Sequence, residues 1–516
     1  MTTPPWAAHL PPGTDVGDVD LAPAPNLTAA WAARWRSAPD HPVVAGPAAG
    51  GGLHADLRWL TGAELDEASA AVAAALGARG VVPGDRLLLS AEPSVELVLA
   101  YVAALRAGAV VVPANTAYRA RELAHVVADA HPVLAVVDDA ERARILAGTE
   151  PAPAVEDLAA LVADACGPGA RSAGEVALDL AGLDDPALIA YTSGTTGAPK
   201  GAVLSHGNLL ASAEALRLAW RWTPEDRLVL PLPLFHLHGL GVGLGGTLHA
   251  GATVVLRPRF DPGDVLDAVA AHRATLLFGV PTTWSRLAAT GRAAELASLR
   301  LGVSGSAPLD PGLFAAIEAA SGHRLLERYG MTETVMNVSN PFDGERRPGT
   351  VGLPLPGVEV RLAPETDEVE LRGPNVFSGY WQRPDATAEA FDGDWFASGD
   401  VGALDADGYL RIVGRRKELI ISGGYNVYPR EVADVLRAHP AVHDAAIVGL
   451  PHPDWGEEVV AVVEGTGGDD ETAALAAWAA ERLAPYKRPK RIAWVDALPR
   501  NALGKVVLDE VRARVR

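Results

Sequence analysis

The chain has a single cysteine, Cys166, in 516 residues. That excludes an internal disulfide framework, and a lone spectator thiol fits a reducing cytoplasm. Positive charge is in the minority, with 44 Lys and Arg against 64 Asp and Glu and a formal net charge of −20. So acidic a chain is no general binder of nucleic acid or of an anionic membrane surface, although a local basic cluster can still hold an anionic substrate. A long unbroken apolar run is also missing. The most apolar stretch, 239–256, is crowded with glycine and interrupted by His249, so it predicts buried loop, helix and strand rather than a membrane span. The first residues, MTTPPWAAHLPPGTD, lack a basic segment ahead of an apolar core and do not read as a signal peptide. The expectation is a cytoplasmic monomer or homodimer with no stable membrane insertion. It has at least two domains, because 516 residues exceed one ordinary core.

What is present begins with YTSGTTGAPKG, residues 191–201. It follows the apolar run Ala187–Ala190 and leads into Val203 and Leu204. Glycines 194, 197 and 201 let backbone N–H groups approach an anion. Thr192, Ser193, Thr195 and Thr196 donate further hydrogen bonds, and Lys200 neutralises charge. Such a loop between strands suits a polyphosphate. It is not a Walker A loop, because Pro199 and Gly201 stand where that pattern needs other residues. The string resembles the phosphate-binding signature of the adenylate-forming superfamily: acyl- and aryl-CoA synthetases, luciferases and peptide-synthetase adenylation domains.

Along the chain, the Pro-, Ala- and Gly-rich residues 1–50 predict an irregular surface wrap. From Arg58 onward, strands near 85–89 and 109–112 alternate with helices near 62–76 and 96–106, and 119–137 repeats the unit. That alternation predicts a largely parallel sheet covered by helices. Residues 146–185 predict a polar connecting segment. Ser205 caps a helix to Trp220. In PLFHLHGL, His236 and His238 lie two apart and would share a side of an extended segment. His236 reads as lining the acyl pocket or the thiol tunnel, and His238 as structural or part of that lining. Pro281 opens a helix carrying Arg286, which on position alone is a solvated arginine. The small residues of GSAPL, among them Ser306 and Ala307, let a flat base lie against the backbone.

ERYGMTET, residues 327–334, adds complementary chemistry. Tyr329 can stack on adenine beside Gly330, Thr332 can bond a phosphate, and Glu333 can hold Mg²⁺, which takes one or two protein carboxylates and keeps phosphate and water ligands. Beyond Gly349 short alternating strands predict a small β-rich subdomain. There Asp400 is placed to accept from ribose hydroxyls, with Arg415 beside it, or else is a turn residue. The overall expectation is an α/β chain. A large domain, 1–416, holds mixed, largely parallel sheets with helices plus the β-rich subdomain. A small mobile α+β domain occupies 417–516.

The resemblance implies the rest. It makes the chain an enzyme that joins a carboxylic acid to AMP from ATP with Mg²⁺, and then to the thiol of coenzyme A. It implies that Lys505, in LPRNALGKV, enters the active site during adenylation. It implies a hinge at Lys417 and a thiol tunnel at Gly423 and Gly424. PLFHLHGL, PTTWSRL and ERYGMTETVMN are most similar to malonyl-CoA synthetases, where the arginine matching Arg286 pairs with the distal carboxylate. Met331 and Ser306 would then limit pocket depth. SGGYNVYPREV is more similar to fatty-acyl and aryl ligases. A medium- or long-chain fatty acid, an aryl acid, or loading of a separate carrier protein are the alternatives.

Overall fold

The computed structural model describes residues 3–167, 177–192, 199–422, 425–453, 455–500 and 505–515. The chain forms two compact units, 1–359 with 371–396 and 360–370 with 397–516.

Two sheets organise the first unit. A seven-stranded sheet runs in the order Gly379–Tyr380, Gly201–Ser205, Pro186–Tyr191, Val110–Pro113, Arg86–Ser90, Leu134–Val137, Ala154–Asp157. Its strands from Pro186–Tyr191 to Ala154–Asp157 pair in parallel, while Gly201–Ser205 turns back antiparallel. The second sheet has nine strands. Its centre, Leu326–Tyr329, Leu301–Ser304, Leu276–Gly279, Arg227–Leu230 and Thr253–Leu256, is parallel throughout. All five therefore end along one edge, where open α/β sheets present ligand-binding loops.

The local signals act as read. Ser205 Oγ accepts from Asn208 N, and the Asn208 side chain accepts from Ser205 N, closing a capping box on the helix His206–Ala219. Pro281 opens the helix Pro281–Ala289. Two expectations need correction. Residues 1–50 are not simply an irregular wrap. They contain the helix Leu27–Ser37 and the strand Pro42–Gly46, because Trp31 and Trp35 bury themselves completely and order the segment. The segment 146–185 also carries the strand Ala154–Asp157 and the helix Leu158–Cys166, whose Leu158 and Leu161 are buried. Alanine-rich composition hid both.

In the second unit, residues 400–404 and Leu410–Arg415 form a hairpin from Asp400↔Arg415 to Leu404↔Leu410. A five-stranded sheet follows, with Gly456–Glu464 between antiparallel Asp444–His452 and parallel Arg491–Val495. The helices Pro429–Arg437 and Asp469–Arg482 cover one face, and Leu508–Val515 the other. No helix among the described residues is long and apolar enough to cross a membrane.

The nine-stranded sheet holds a pH-sensitive contact. Gly302 N–H donates to His323 Nε2 at 2.7 Å, which requires a neutral ring. A Cβ on Gly302 would lie 2.8 Å from Trp284 and 2.9 Å from His323, so glycine lets both rings close on the strand. Burial, helped by the positive charge of Arg346, lowers His323 to about 4. Between pH 6.5 and 4 the unfolded chain binds a proton that the native ring refuses. The contribution is therefore complete above pH 6.5 and is lost as pH falls toward 4. Burial lowers His9 and His206 to about 4 as well, with the same sign. Urea unfolding at pH 7 and pH 4.5 should show a loss with a His323 share of at most about 3 kcal/mol. That share should disappear in His323→Gln.

Candidate active site

Both stems of the 191–201 loop are described, at Thr192 and at Pro199–Lys200. Ser193, Gly194, Thr195, Thr196 and Gly197 lie outside the described residues. Thr192 N donates to Lys200 O at 3.0 Å, closing the neck. Asp129 fixes the stems from the side. It accepts from Tyr191 O–H at 2.8 Å and from Arg383 Nη2 at 2.6 Å, and its carbonyl accepts from Trp381 Nε1 at 3.1 Å. His125 Nε2 donates to Pro199 O at 2.9 Å. Lys200 is exposed, with Nζ 5.0 Å from the centre of the Tyr380 ring. Tyr380 O–H in turn donates to Glu333 Oε1 at 2.9 Å. One tyrosine thus touches both the lysine of the first motif and the carboxylate of the second. Burial and the Glu333 charge push its phenol up, so it stays a donor at every ordinary pH.

The second motif follows the Leu326–Tyr329 strand. Tyr329, Gly330, Met331 and Thr332 are half-buried and Glu333 is buried. A Cβ on Gly330 would lie 2.2 Å from Val335 O, so only glycine permits this turn. Asn375 holds the segment from below, donating to Thr334 O at 2.8 Å and Met336 O at 2.9 Å. Tyr329 O–H points to Met331 Sδ at 3.8 Å. The GSAPL loop leaves the neighbouring strand, and Leu309 N donates to Glu327 Oε1 at 2.9 Å. Ser306 and Ala307 are exposed, and Ser306 has a left-handed φ of 66°. Ser306 Oγ and His238 Nδ1 are 3.3 Å apart. His238 is held well below its usual range by burial first and then by Arg328 and His236. A neutral His238 is therefore expected throughout the physiological range.

The histidines do not lie on an extended segment. Leu237 is helical and His238 begins a π-helical run to Gly245. Gly239 allows this, since a Cβ there would meet Pro233 O at 2.3 Å. Arg286 is exposed on its helix and makes no hydrogen bond or ion pair with another described residue.

The second unit holds the remaining candidates. Asp400, buried, pairs with Arg415 across the hairpin, Oδ1 to Nε at 3.1 Å. Glu418 is pushed up by burial, which Arg415 opposes. Lys417 lies in the turn Arg416–Glu418 and is exposed, as is Lys505 just before Val506, which bridges to Arg500. Gly423 and Gly424 lie outside the described residues.

Sequence reasoning missed Tyr380, Asp129 and His125. Tyr380 comes beside the loop because Gly379–Tyr380 pairs with Val203 and Ala202 as an edge strand, a long-range pairing that no local pattern signals. Among the described residues no group of three or more His, Cys, Asp or Glu is clustered for a metal. A single buried carboxylate, Glu333, still suits Mg²⁺, which takes few protein ligands when phosphate and water supply the others.

Comparison with known proteins matches this arrangement. Residues 31–381 match the AMP-binding enzyme family, and residues 431–505 the AMP-binding enzyme C-terminal domain. The chain is 40% identical over 478 residues to a feruloyl-CoA synthase of an Amycolatopsis species, covering 88% of this chain and 94% of that protein. It superposes on ATP-bound MatB from Rhodopseudomonas palustris with a TM-score of 0.86 and 40% identity, over 95% of this chain and 99% of that one. A malonyl-CoA ligase solved with methylmalonyl-CoA and AMP is 43% identical, with a TM-score of 0.64 over 89% of this chain and 97% of that one. The 191–201 segment, the YGMTE segment and the two-unit architecture thus share one explanation: the chain belongs to the AMP-binding enzyme family, as an AMP-forming acid–thiol ligase of the acyl- or aryl-CoA type.

Proposed function

We propose that the enzyme joins malonate or methylmalonate to coenzyme A. The observation that carries this reading is Arg286. It sits on the helix that starts at the carboxyl end of the Leu276–Gly279 strand, and no described residue pairs with it. An exposed arginine without a partner among the described residues is available to a substrate carboxylate. The 43% identity to the malonyl-CoA ligase supports the same acid. An aromatic acid is the second reading, favoured by the 40% identity to the feruloyl-CoA synthase.

In this reading the acid's carboxylate oxygen attacks the α-phosphorus of ATP and pyrophosphate leaves. The sulfur of coenzyme A then attacks the acyl carbon, loses its proton to solvent and displaces AMP. The protein contributes position and charge. Lys200, Thr192 and the loop residues Ser193, Gly194, Thr195, Thr196 and Gly197 hold the outer phosphates. Glu333 holds Mg²⁺, which when bound neutralises charge around the phosphates. Tyr380 orients Glu333 through its hydrogen bond to Oε1. Tyr329 stacks on adenine beside Ser306, Ala307 and Gly330, and Thr332 donates to the α-phosphate. Asp400 and Arg415 take the ribose. His236, Met331 and Ser306 bound the acyl end. Lys505 acts on the acyl carboxylate and α-phosphate during adenylation. A hinge at Lys417 exchanges it for the thiol step, in which Gly423 and Gly424 border the tunnel.

Three outcomes follow. AMP release with ATP, Mg²⁺ and coenzyme A should be fastest with malonate or methylmalonate among a panel including butyrate, octanoate, benzoate and ferulate. In Arg286→Ala the malonate kcat/KM should drop by roughly tenfold or more; a preference for ferulate would install the second reading instead. Lys505→Ala should lower acid-dependent pyrophosphate release by roughly 100-fold or more, measured without coenzyme A. Tyr380→Phe should cost about tenfold in kcat/KM, the scale of one hydrogen bond to a charged group, with an unchanged melting profile.

A further inference from the structure

Lys505 stands just outside a small clamp on the second unit. Arg500 and Val506 form an antiparallel bridge, and Val507 N donates to Pro499 O at 2.8 Å. Lys505 is therefore one residue beyond the bridged pair. Burial secures the apolar side of this base. Leu498 lies in a cluster with Val448, Val460 and Val462, and Val506 packs against the same cluster. Apolar contacts are non-directional, so they hold the base down without setting the direction in which the chain leaves it.

Charge sets that direction. Asp444 and Glu464 face each other as an end pair of the strands Asp444–His452 and Gly456–Glu464. Arg500 Nη2 donates to Asp444 Oδ2 and lies 3.7 Å from Glu464 Oε2. The same Glu464 oxygen accepts from Leu498 N at 2.9 Å. Asp444 Oδ1 accepts from Arg437 Nε at 2.6 Å and from Ala445 N at 2.7 Å. Both carboxylates are thus held from a second direction before Arg500 reaches them. Their side chains are 19% and 23% exposed, so water screens these contacts less than it screens a pair on the open surface. Arg500 is fixed at its backbone by the bridge and at its planar guanidinium by two anchored carboxylates.

We propose that Arg500 is a positioning residue for Lys505, supporting adenylation and not the thiol step. This rests on the reading of Lys505 as the lysine of adenylation. An ammonium on a flexible four-carbon stem stabilises developing charge only while its base is held in place. In that reading Lys505 acts while the acid is joined to AMP and is exchanged before sulfur attacks. A residue that acts only through Lys505 therefore affects the first step alone.

The test separates the two steps. Acid-dependent pyrophosphate release without coenzyme A reports adenylation. Transfer of acyl-adenylate, formed beforehand on the enzyme, to added coenzyme A reports the thiol step. Both are measured with malonate and with ferulate, and the faster acid is used. The proteins are the wild type, Arg500→Gln, Arg500→Lys, Lys505→Ala and the double variant Arg500→Gln with Lys505→Ala. Arg500→Gln should lower adenylation roughly tenfold, the scale of one charged hydrogen bond, and leave thiol transfer within about twofold of the wild type. Arg500→Lys keeps the charge without the planar fork. Its loss should be smaller, about threefold and confined to adenylation, which carries the test if Arg500→Gln does not fold. In the Lys505→Ala background Arg500→Gln should cost nothing further, because its effect passes through the lysine. A loss shared equally by both steps, a loss that persists without Lys505, or no loss in folded variants overturns the role of Arg500 and leaves that of Lys505 standing. Undiminished pyrophosphate release in Lys505→Ala overturns both.

Discussion

The described stems of the 191–201 segment, Thr192 and Pro199–Lys200, are half-buried or exposed and are fixed from outside. Asp129 does this. It is a buried carboxylate at the end of the helix Ala120–Ala130, and it receives Tyr191 from before the loop and Arg383 from far after it. Its own carbonyl takes Trp381, whose backbone N–H binds Gly201 O at 2.7 Å. Helix, strand and distant edge strand are tied at one residue. The low exposure of Asp129 makes these bonds strong, and a missing partner there would leave a buried charge unpaired.

That tie has a chemical consequence. By holding Gly379–Tyr380 against Gly201–Ser205, it places Tyr380 between Lys200 and Glu333. The lysine of the 191–201 segment and the carboxylate of the YGMTE segment are far apart in sequence and come from different sheets. A single aromatic ring spaces them, its face toward the cation and its hydroxyl toward the anion. The separation keeps them from neutralising each other as a direct ion pair.

A second constraint runs along the strand ends of the nine-stranded sheet. Gly302, Gly305 and Gly330 lie on or just after adjacent strands, and at each a Cβ would meet another residue's atoms at under 3 Å. They admit Trp284 and His323, Arg328, and the Val335 carbonyl respectively. Close packing at that edge fixes the polar side chains without loops long enough to blur them. Burial in the same region keeps His238 and His323 neutral, leaving arginine as the cation there.

The family, the order of strands and helices between residues 58 and 137, and the residues of both motifs were legible along the chain, because each is written in contiguous residues with local physics. The cap at Ser205 and the first-turn Pro281 were legible for the same reason. Elements rich in alanine, Leu27–Ser37 and Leu158–Cys166, were not, since their order comes from tertiary burial of Trp31, Trp35, Leu158 and Leu161. Nor did spacing reveal that His238 starts a helical turn, which depends on Gly239 closing against Pro233. Which charges are answered was settled by long-range packing. Arg106 and Arg328 read alike in a string of letters, yet one meets two aspartates and the other meets none among the described residues, because long-range packing brings the partners and sequence separation does not reveal it.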